Sequence, residues 1–405
     1  MLNVVLVTKG SYGDVVPFLA IGKAMRKRGH NVTLVSQCEY REAARRVELH
    51  FDCWDTPDQY KAFIKDGPLL DTPNGIREFS QRHVFPFVES EYATILRHCR
   101  DLKSILVVRH MSSLAASFIS EQLRIPLVSV FTAAAQATCL SMLIQLYAYC
   151  LGGQINAARR ACGLGEISDW RKWVLSPDLH LACWPEWFAS DAFGGPARIV
   201  HTGFLQNDEV EPSEVPPAIN QLVEYKRPNA ILITGGTAMW KLAGRFYASA
   251  AQACSILGKP GILVCRHPEL LPSDLPPGII RQPRLPFAQV IGGMAAIIHH
   301  GGASVLVRAL TAGVPQLVLP YGGDRPDNGT RLERLGVAKR ILPPQWDPPK
   351  IASELSRLIT SDSVGRSCAQ LRGMLMESTG LEAACRTMEM LLESEKAPAV
   401  QSEPL

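Results

Sequence analysis

The sequence has 405 residues, 47% of them apolar and 20% charged, which is material for two hydrophobic cores and too apolar a composition for a disordered chain. Its 42 basic and 38 acidic residues leave a formal net charge of +4 with no Lys/Arg run or basic stripe, so a nucleic-acid track is not expected. The eleven cysteines are odd in number and form no C-x-x-C; this argues against a zinc site or a disulfide frame and for a reducing, cytoplasmic compartment.

In chain order, the apolar run Leu2 to Val7 leads directly into Gly10-Ser11-Tyr12-Gly13, which reads as a first strand and a turn, not as a secretion signal. A helix through Phe18 to Arg28 and a second strand, Asn31 to Ser36, complete a β-α-β unit. Apolar strand cores recur at Ile105–Val108, Leu127–Phe131 and Leu179–Cys183, and their spacing predicts a parallel sheet covered on both faces. Ile125 to Ala158 contains no charged residue, but Pro126, Gln136, Gln145, Gly152 and Gly153 interrupt it, so it is expected to be a buried strand followed by an apolar helix and not a membrane span.

Residues 1–207 are therefore expected to form one Rossmann-like domain. The polar, Pro-rich stretch 208–228 sustains neither a helix nor a strand period and reads as a linker. Strand cores resume at Ala230–Ile233, Gly261–Val264, Ala296–Ile298 and Gln316–Leu319, which predicts a second Rossmann-like domain over 229–380. Residues 381–405 supply a last helix and a tail. The predicted class is α/β, with two parallel sheets.

Two turns of the second domain have the chemistry a diphosphate needs. In Thr234-Gly235-Gly236-Thr237, small residues after a strand let backbone N–H groups approach an anion, and Thr237 adds a hydroxyl; a plain β-α turn would use the same glycines to relieve crowding. In His299-His300-Gly301-Gly302-Ala303-Ser304 a phosphate would meet free N–H groups, roughly half a positive charge from the helix dipole, a hydroxyl and an imidazole. Each charged hydrogen bond there is worth on the order of 1.5–3 kcal/mol. His299 is assigned to the phosphate and His300 to the core. Further on, Asp324, Arg325 and Asn328 fall after a strand, where Asp324 can accept two sugar hydroxyls or join a solvated ion cluster.

The motifs His299-His300-Gly301-Gly302, Ala312-Gly-Val-Pro-Gln316, Asp324, Asn328 and Arg331 to Gly336 resemble the donor signature of the family-1, inverting glycosyltransferases. The branch in question holds antibiotic, macrolide, sterol and rhamnolipid glycosyltransferases. The resemblance implies the GT-B fold, two Rossmann-like domains facing across a cleft, and a nucleotide-sugar donor, UDP- or dTDP-linked, as co-substrate with no other cofactor and no metal. It implies a donor set of Gly236, Thr237, Arg284, Leu285, His299, Gly301, Gly302, Ala303, Ser304, Asp324, Arg325 and Asn328. Three positions depart from the pattern. Val305 stands where a Thr often holds phosphate, Arg284 where many relatives carry an aromatic residue, and Arg325 in place of the usual Gln, which leaves the sugar open.

Gly10-Ser-Tyr-Gly13-Asp14-Val-Val-Pro17 extends the resemblance to the first domain and gives Asp14 the place of a catalytic Asp or His. Alone, Asp14 reads equally as a helix cap. An inverting transfer needs a base for the acceptor hydroxyl, and the catalytic pair is taken as Asp14 and His299, the latter acting on the leaving diphosphate. Acceptor contacts are assigned to Ser11, Tyr12, Arg109, His110 and Tyr147, with Arg109 and His110 also able to orient Asp14. The segments Cys139 to Leu151 and Trp184 to Phe188 suit either a lipophilic pocket or core packing. A small-molecule acceptor and a transient membrane-surface contact are expected, and no oligomeric state follows. A nucleotide-sugar 2-epimerase and a non-catalytic nucleotide-sugar-binding partner are the rival readings.

Overall fold

The computed structural model describes residues 1–100, 103–189, 199–206, 214–236 and 242–394. Among the described residues thirteen strands form two sheets, all parallel. The first sheet contains β1 (Asn3–Val7), β2 (Asn31–Ser36), β3 (His50–Cys53), β4 (Ile105–His110), β5 (Leu127–Phe131), β6 (Leu179–Ala182) and β7 (Ile199–His201), in the order β3-β2-β1-β4-β5-β6-β7. The second contains β8 (Ile231–Thr234), β9 (Gly261–Val264), β10 (Ile279–Gln282), β11 (Ala296–His299), β12 (Gln316–Val318) and β13 (Ala338–Arg340), in the order β10-β9-β8-β11-β12-β13. The expected α/β class with two parallel sheets holds.

The central strands are uniformly apolar because helices cover both their faces. Leu6, Phe18 and Leu34 are fully buried on one face of the first sheet, while Val7, Val35 and Val107 are buried on the other. Each such side chain contributes roughly 1.5–3 kcal/mol by leaving water. The second sheet is built likewise, with Ile233, Phe246 and Ile298 on one face and Leu232, Ile262 and Ile297 on the other.

Six helices fix the site and the frame: α1 (Tyr12–Lys27), α2 (Pro57–Lys65), α3 (Pro73–His83), α4 (Ala303–Ala312), α5 (Arg325–Arg334) and α6 (Gly380–Ser394). α6 returns to the first lobe, where Ala384, Cys385, Met388, Leu391 and Leu392 complete the core around Leu6 and Phe18. Glu389 on α6 accepts from Arg28 Nε and Nη2 at 2.8 and 2.6 Å and pairs with His30 Nε2 at 2.7 Å.

The charge-free stretch does not form one helix. After β5 it breaks into Ala134–Thr138, Leu140–Gln145, a π-helical turn over Leu146–Leu151 and Gly152–Ala161, with Met142 and Tyr149 exposed. Among the described residues no helix is long and apolar enough to cross a membrane. Of the expected linker, residues 208–213 lie outside the described residues, and Ile219 is wholly buried in the second lobe's core.

Candidate active site

The C-terminal ends of both sheets open onto a cleft of about 800 Å³ lined by both lobes. From the first lobe come Gly10 to Asp14, Thr132, Gln136 and an apolar wall of Phe63, Ile64, Leu70, Ile76, Phe79 and Met142. From the second come Thr234, Gly236, Arg266, Arg284, Leu285, His300, Gly302 to Val305 and Gly323 to Arg325.

Asp14 is the third residue of α1, whose N-cap is Ser11. The Ser11 backbone N–H and Oγ donate to Asp14 Oδ2 at 2.8 and 3.0 Å, and Thr132 Oγ1 donates to Oδ1 at 3.4 Å. The helix-cap reading of this residue therefore holds, through Oδ2, and the residue also lines the cleft. Gly10, at φ +129°, makes room, because a Cβ there would stand 2.5 Å from Asp14 Oδ2. Burial raises the pKa of Asp14, while Ser11, Thr132 and the positive charge of Arg325 hold it down.

His110 lies behind this carboxylate. Ser112 N–H donates to its Nδ1 at 3.3 Å, which leaves the hydrogen on Nε2, 3.7 Å from Asp14 Oδ1 and 3.4 Å from Thr132 Oγ1. Burial pushes its pKa down to about 3, with Lys9 and Arg109 adding to the effect, so the ring is neutral at working pH. Deeper still, Lys9 Nζ pairs with Glu91 Oε2 at 3.0 Å, and Ser113 Oγ donates to Glu91 Oε1 at 2.5 Å.

Across the cleft, Gly302 caps α4, and the first amides of that helix, with the Ser304 hydroxyl, border the cavity. Gly301, at φ +94°, turns the chain; a Cβ there would meet Arg325 O at 2.8 Å. The N–H of Gly301 is already used by His299 Nδ1 at 3.1 Å, so the helix-start amides able to receive an anion begin at Gly302.

The two imidazoles reverse the sequence assignment. His299 ends β11 wholly buried, with Nε2 3.0 Å from Gln316 Oε1, and burial pushes its pKa down to about 4. His300 is the one that lines the cleft. Its ring lies between Gly236 and Gly302, where added Cβ atoms would come within 2.6 Å. Burial, then the charges of Arg325 and His299, lower its pKa well below the usual histidine value, so the ring is neutral and not a cation. The reason is positional: a strand buried on both faces gives no alternation to show which histidine turns inward.

Asp324 and Arg325 start α5 in the same cleft. Asn328 Nδ2 donates to Asp324 Oδ2 at 2.8 Å and to Gly301 O at 2.9 Å, so it ties the carboxylate loop to the phosphate turn from behind. Arg325 Nη1 donates to Tyr321 O at 2.7 Å, and its guanidinium lies 5.5 Å from the Tyr321 ring centroid. Burial raises the pKa of Asp324, Arg325 lowers it and Asp14 raises it. Those mutual influences set the two carboxylates and the guanidinium within one electrostatic neighbourhood spanning the lobes.

Other sequence assignments fare differently. Ser11, Tyr12, Gly236, Arg284, Leu285, Ala303 and Ser304 line the cleft, whereas Thr237 lies outside the described residues. Arg109 does not line the cleft: it is buried, and its Nη1 donates to Met111 O and Ser113 O at 3.0 Å each. Tyr147 packs 6.3 Å from the Trp173 ring in a satellite core. Trp184 and Phe188 are buried at the lobe junction with Leu306 and Leu310 of α4. Arg266 and the α2–α3 wall were missed, although a strand-end arginine is a readable sign in an α/β sheet.

Two facing parallel sheets, with an anion cradle in one lobe and a carboxylate in the other, define a two-lobed GT-B protein. Residues 4–142 match the glycosyltransferase family 28 N-terminal domain, and residues 263–390 match the C-terminal domain of erythromycin biosynthesis protein CIII-like proteins. Together these two matches, one in each lobe, support a family-1 glycosyltransferase of the GT-B fold. It is 24% identical to O-mycaminosyltylonolide 6-deoxyallosyltransferase of Streptomyces fradiae, over 97% of this chain and 98% of that one. It is 23% identical to sterol 3-beta-glucosyltransferase of Pichia angusta, over 95% of this chain but 33% of the relative, so the chain spans about a third of that protein's length. In structure it resembles glycosyltransferase VinC in complex with DTDP, with a TM-score of 0.74 and 18% identity, covering 96% of this chain and 99% of that one.

Proposed function

We propose that the protein moves a sugar from a nucleoside diphosphate donor, held by the second lobe, to a hydroxyl of a small lipophilic acceptor held by the first, with inversion and without a metal. The observation that carries this reading is the placement of Asp14 across the cleft from the α4 N-terminus and Asp324. In a single displacement, Asp14 Oδ1 takes the acceptor proton while the acceptor oxygen attacks the anomeric carbon and the diphosphate leaves on the opposite side. Charge gathers on the leaving group, where the amides from Gly302 onward, the Ser304 hydroxyl and the neutral N–H of His300 receive it. Asp324 accepts ring hydroxyls of the sugar. On the acceptor side, the wall from Phe63 to Met142 carries no charge, which suits an apolar molecule.

Asp14→Asn is the first test. Its expected outcome is loss of at least about a thousandfold in kcat with nucleoside diphosphate affinity within about twofold of wild type by calorimetry. Equal loss of both would return Asp14 to a purely structural role. Incubation with the nucleotide sugar alone should leave the sugar's configuration intact; an epimerised product would replace the transferase reading.

A further inference from the structure

Lys9 and Glu91 form an ion pair almost out of reach of water, with Nζ and Oε2 3.0 Å apart and side-chain exposures of 8% and 1%. Lys9 follows β1 by two residues and leads into the turn that carries Ser11 and Asp14. Glu91 belongs to the helix Val88–Arg97, whose Ile95 packs in one core with Val7 and Val107. Withdrawing two charges from water costs about as much as their attraction returns, and an apolar pair of similar size commonly serves a fold as well or better. Stability alone does not account for such a pair.

Its other contacts point to position. The second oxygen of Glu91, Oε1, accepts from Ser113 Oγ at 2.5 Å. Ser113 caps the helix Leu114–Leu123, where its Oγ accepts from the Ala116 N–H at 3.3 Å, and its own N–H donates to His110 O at 2.9 Å. One carboxylate therefore ties the turn bearing Asp14 to the turn that follows β4, and β1 and β4 are neighbours with Val7 opposite Arg109. On its flank the first turn is held by neutral groups: the Gly10 N–H donates to Gln37 Oε1, and the Tyr40 hydroxyl donates to Gly10 O, both at 2.9 Å. From beneath, the Lys9–Glu91 pair holds it. The two charges act on His110 in opposite directions, Lys9 lowering its pKa and Glu91 raising it, so the matched pair supplies place more than field.

We propose that Lys9 and Glu91 are positioning residues for the transfer: Glu91, holding Lys9 with one oxygen and Ser113 with the other, fixes the turn that presents the Asp14 carboxylate to the acceptor hydroxyl. This rests on the reading of Asp14 as the base. Neither Lys9 nor Glu91 lines the cleft. A displacement of about 1 Å at a reacting group costs on the order of a hundredfold in rate, so a tie outside the cavity governs turnover without touching a ligand.

The test uses the full chain as wild type, as the apolar double variant Lys9→Met/Glu91→Leu and as the charge-keeping variant Lys9→Arg. Each is measured for melting temperature, for calorimetric affinity toward UDP and dTDP, for hydrogen–deuterium exchange of peptides covering Gly10 to Val16, and for release of glucose from UDP-glucose and dTDP-glucose with water as acceptor. The double variant is expected to melt at or above the wild-type temperature and to bind the nucleotides within about twofold of wild type. Its Gly10 to Val16 amides should exchange at least about tenfold faster, and glucose release should fall at least about tenfold. Lys9→Arg should stay within about threefold of wild type in both. Unchanged exchange and release in the double variant would overturn the proposal, as would equal losses in Lys9→Arg. A lower melting temperature with nucleotide affinity lost in step would mark an ordinary support of the fold and also overturn it. If Asp14→Asn released glucose as fast as wild type, the base reading would fail instead; exchange is read whether or not either donor turns over, and it would still decide whether the pair fixes the turn.

Discussion

Asp14, His299 and His300 divide the work at the scale of single residues, and two substitutions separate the histidines. His299→Ala removes partners of Gln316 and of the Gly301 amide inside a dry core, so it should lower stability by about 1–3 kcal/mol, read as a shift in the denaturation midpoint. His300→Ala should leave that midpoint nearly unchanged and reduce kcat/KM by about tenfold or more through the lost N–H at the leaving group; steady-state kinetics checks it. The charge of Arg325 gives a prediction with a sign. Arg325 holds down the pKa of Asp14 against burial, so Arg325→Gln should raise it. In the proposed reaction the ionised carboxylate is the base, so the acid limb of kcat/KM should move to higher pH in that variant; a limb that stays in place or moves lower would show that the two groups are not coupled. Sequence made the phosphate turn and the two acidic loops readable because their glycines, carboxylates and spacing are chemical statements in themselves. It could not distinguish neighbouring histidines, nor show that Arg109 points into a loop, because those depend on the direction a side chain takes at a strand end.

At the scale of elements, the interior strands were readable and the edges were not. β1, β2, β4, β5, β6, β8, β9, β11 and β12 carry apolar runs dictated by burial on both faces. β3, β7, β10 and β13 are three or four residues long and mostly half-buried, so they have too little apolar pattern to stand out. The α2–α3 wall escaped for a related reason: its apolar side chains line a cavity, not a core, and no strand period announces them. α6 was readable as a helix, but its docking partner was not, since a clasp such as Glu389 with Arg28 and His30 joins residues some 360 positions apart. These hydrogen bonds push the Glu389 pKa down to about 2, Arg28 having the largest effect. A depressed carboxylate adds stability above its ordinary pKa near 4.5 and loses it as the pH falls toward about 2. Glu389→Gln should therefore cost about 1 kcal/mol near neutral pH, given the partial exposure of the clasp, and nothing at the acid end of that window; paired thermal melts at the two pH values measure the difference.

For the whole molecule, the two-lobed plan was legible because two successive sets of apolar strand cores are separated by a polar, Pro-rich stretch. The seam between lobes was less so, since Trp184 and Phe188 of one lobe share a core with Leu306 and Leu310 of the other. A ligand bound only by the folded second lobe should raise the melting temperature of the chain: UDP or dTDP at a hundredfold excess over Kd adds about 2.7 kcal/mol. Differential scanning calorimetry would show whether both lobes melt together, as the shared core requires, or as two transitions.

The return of α6 to the opposite lobe constrains anyone who would recombine this protein. Because the chain crosses the seam twice, its donor half is an insert flanked on both sides by acceptor-half sequence, not a terminal block. A hybrid built with a single crossover would pair Leu6 and Phe18 with a stranger's final helix, leaving Ala384, Met388 and Leu391 without the surface they were shaped to fill. Two crossovers, the second just before Gly380, keep each core with its own sequence.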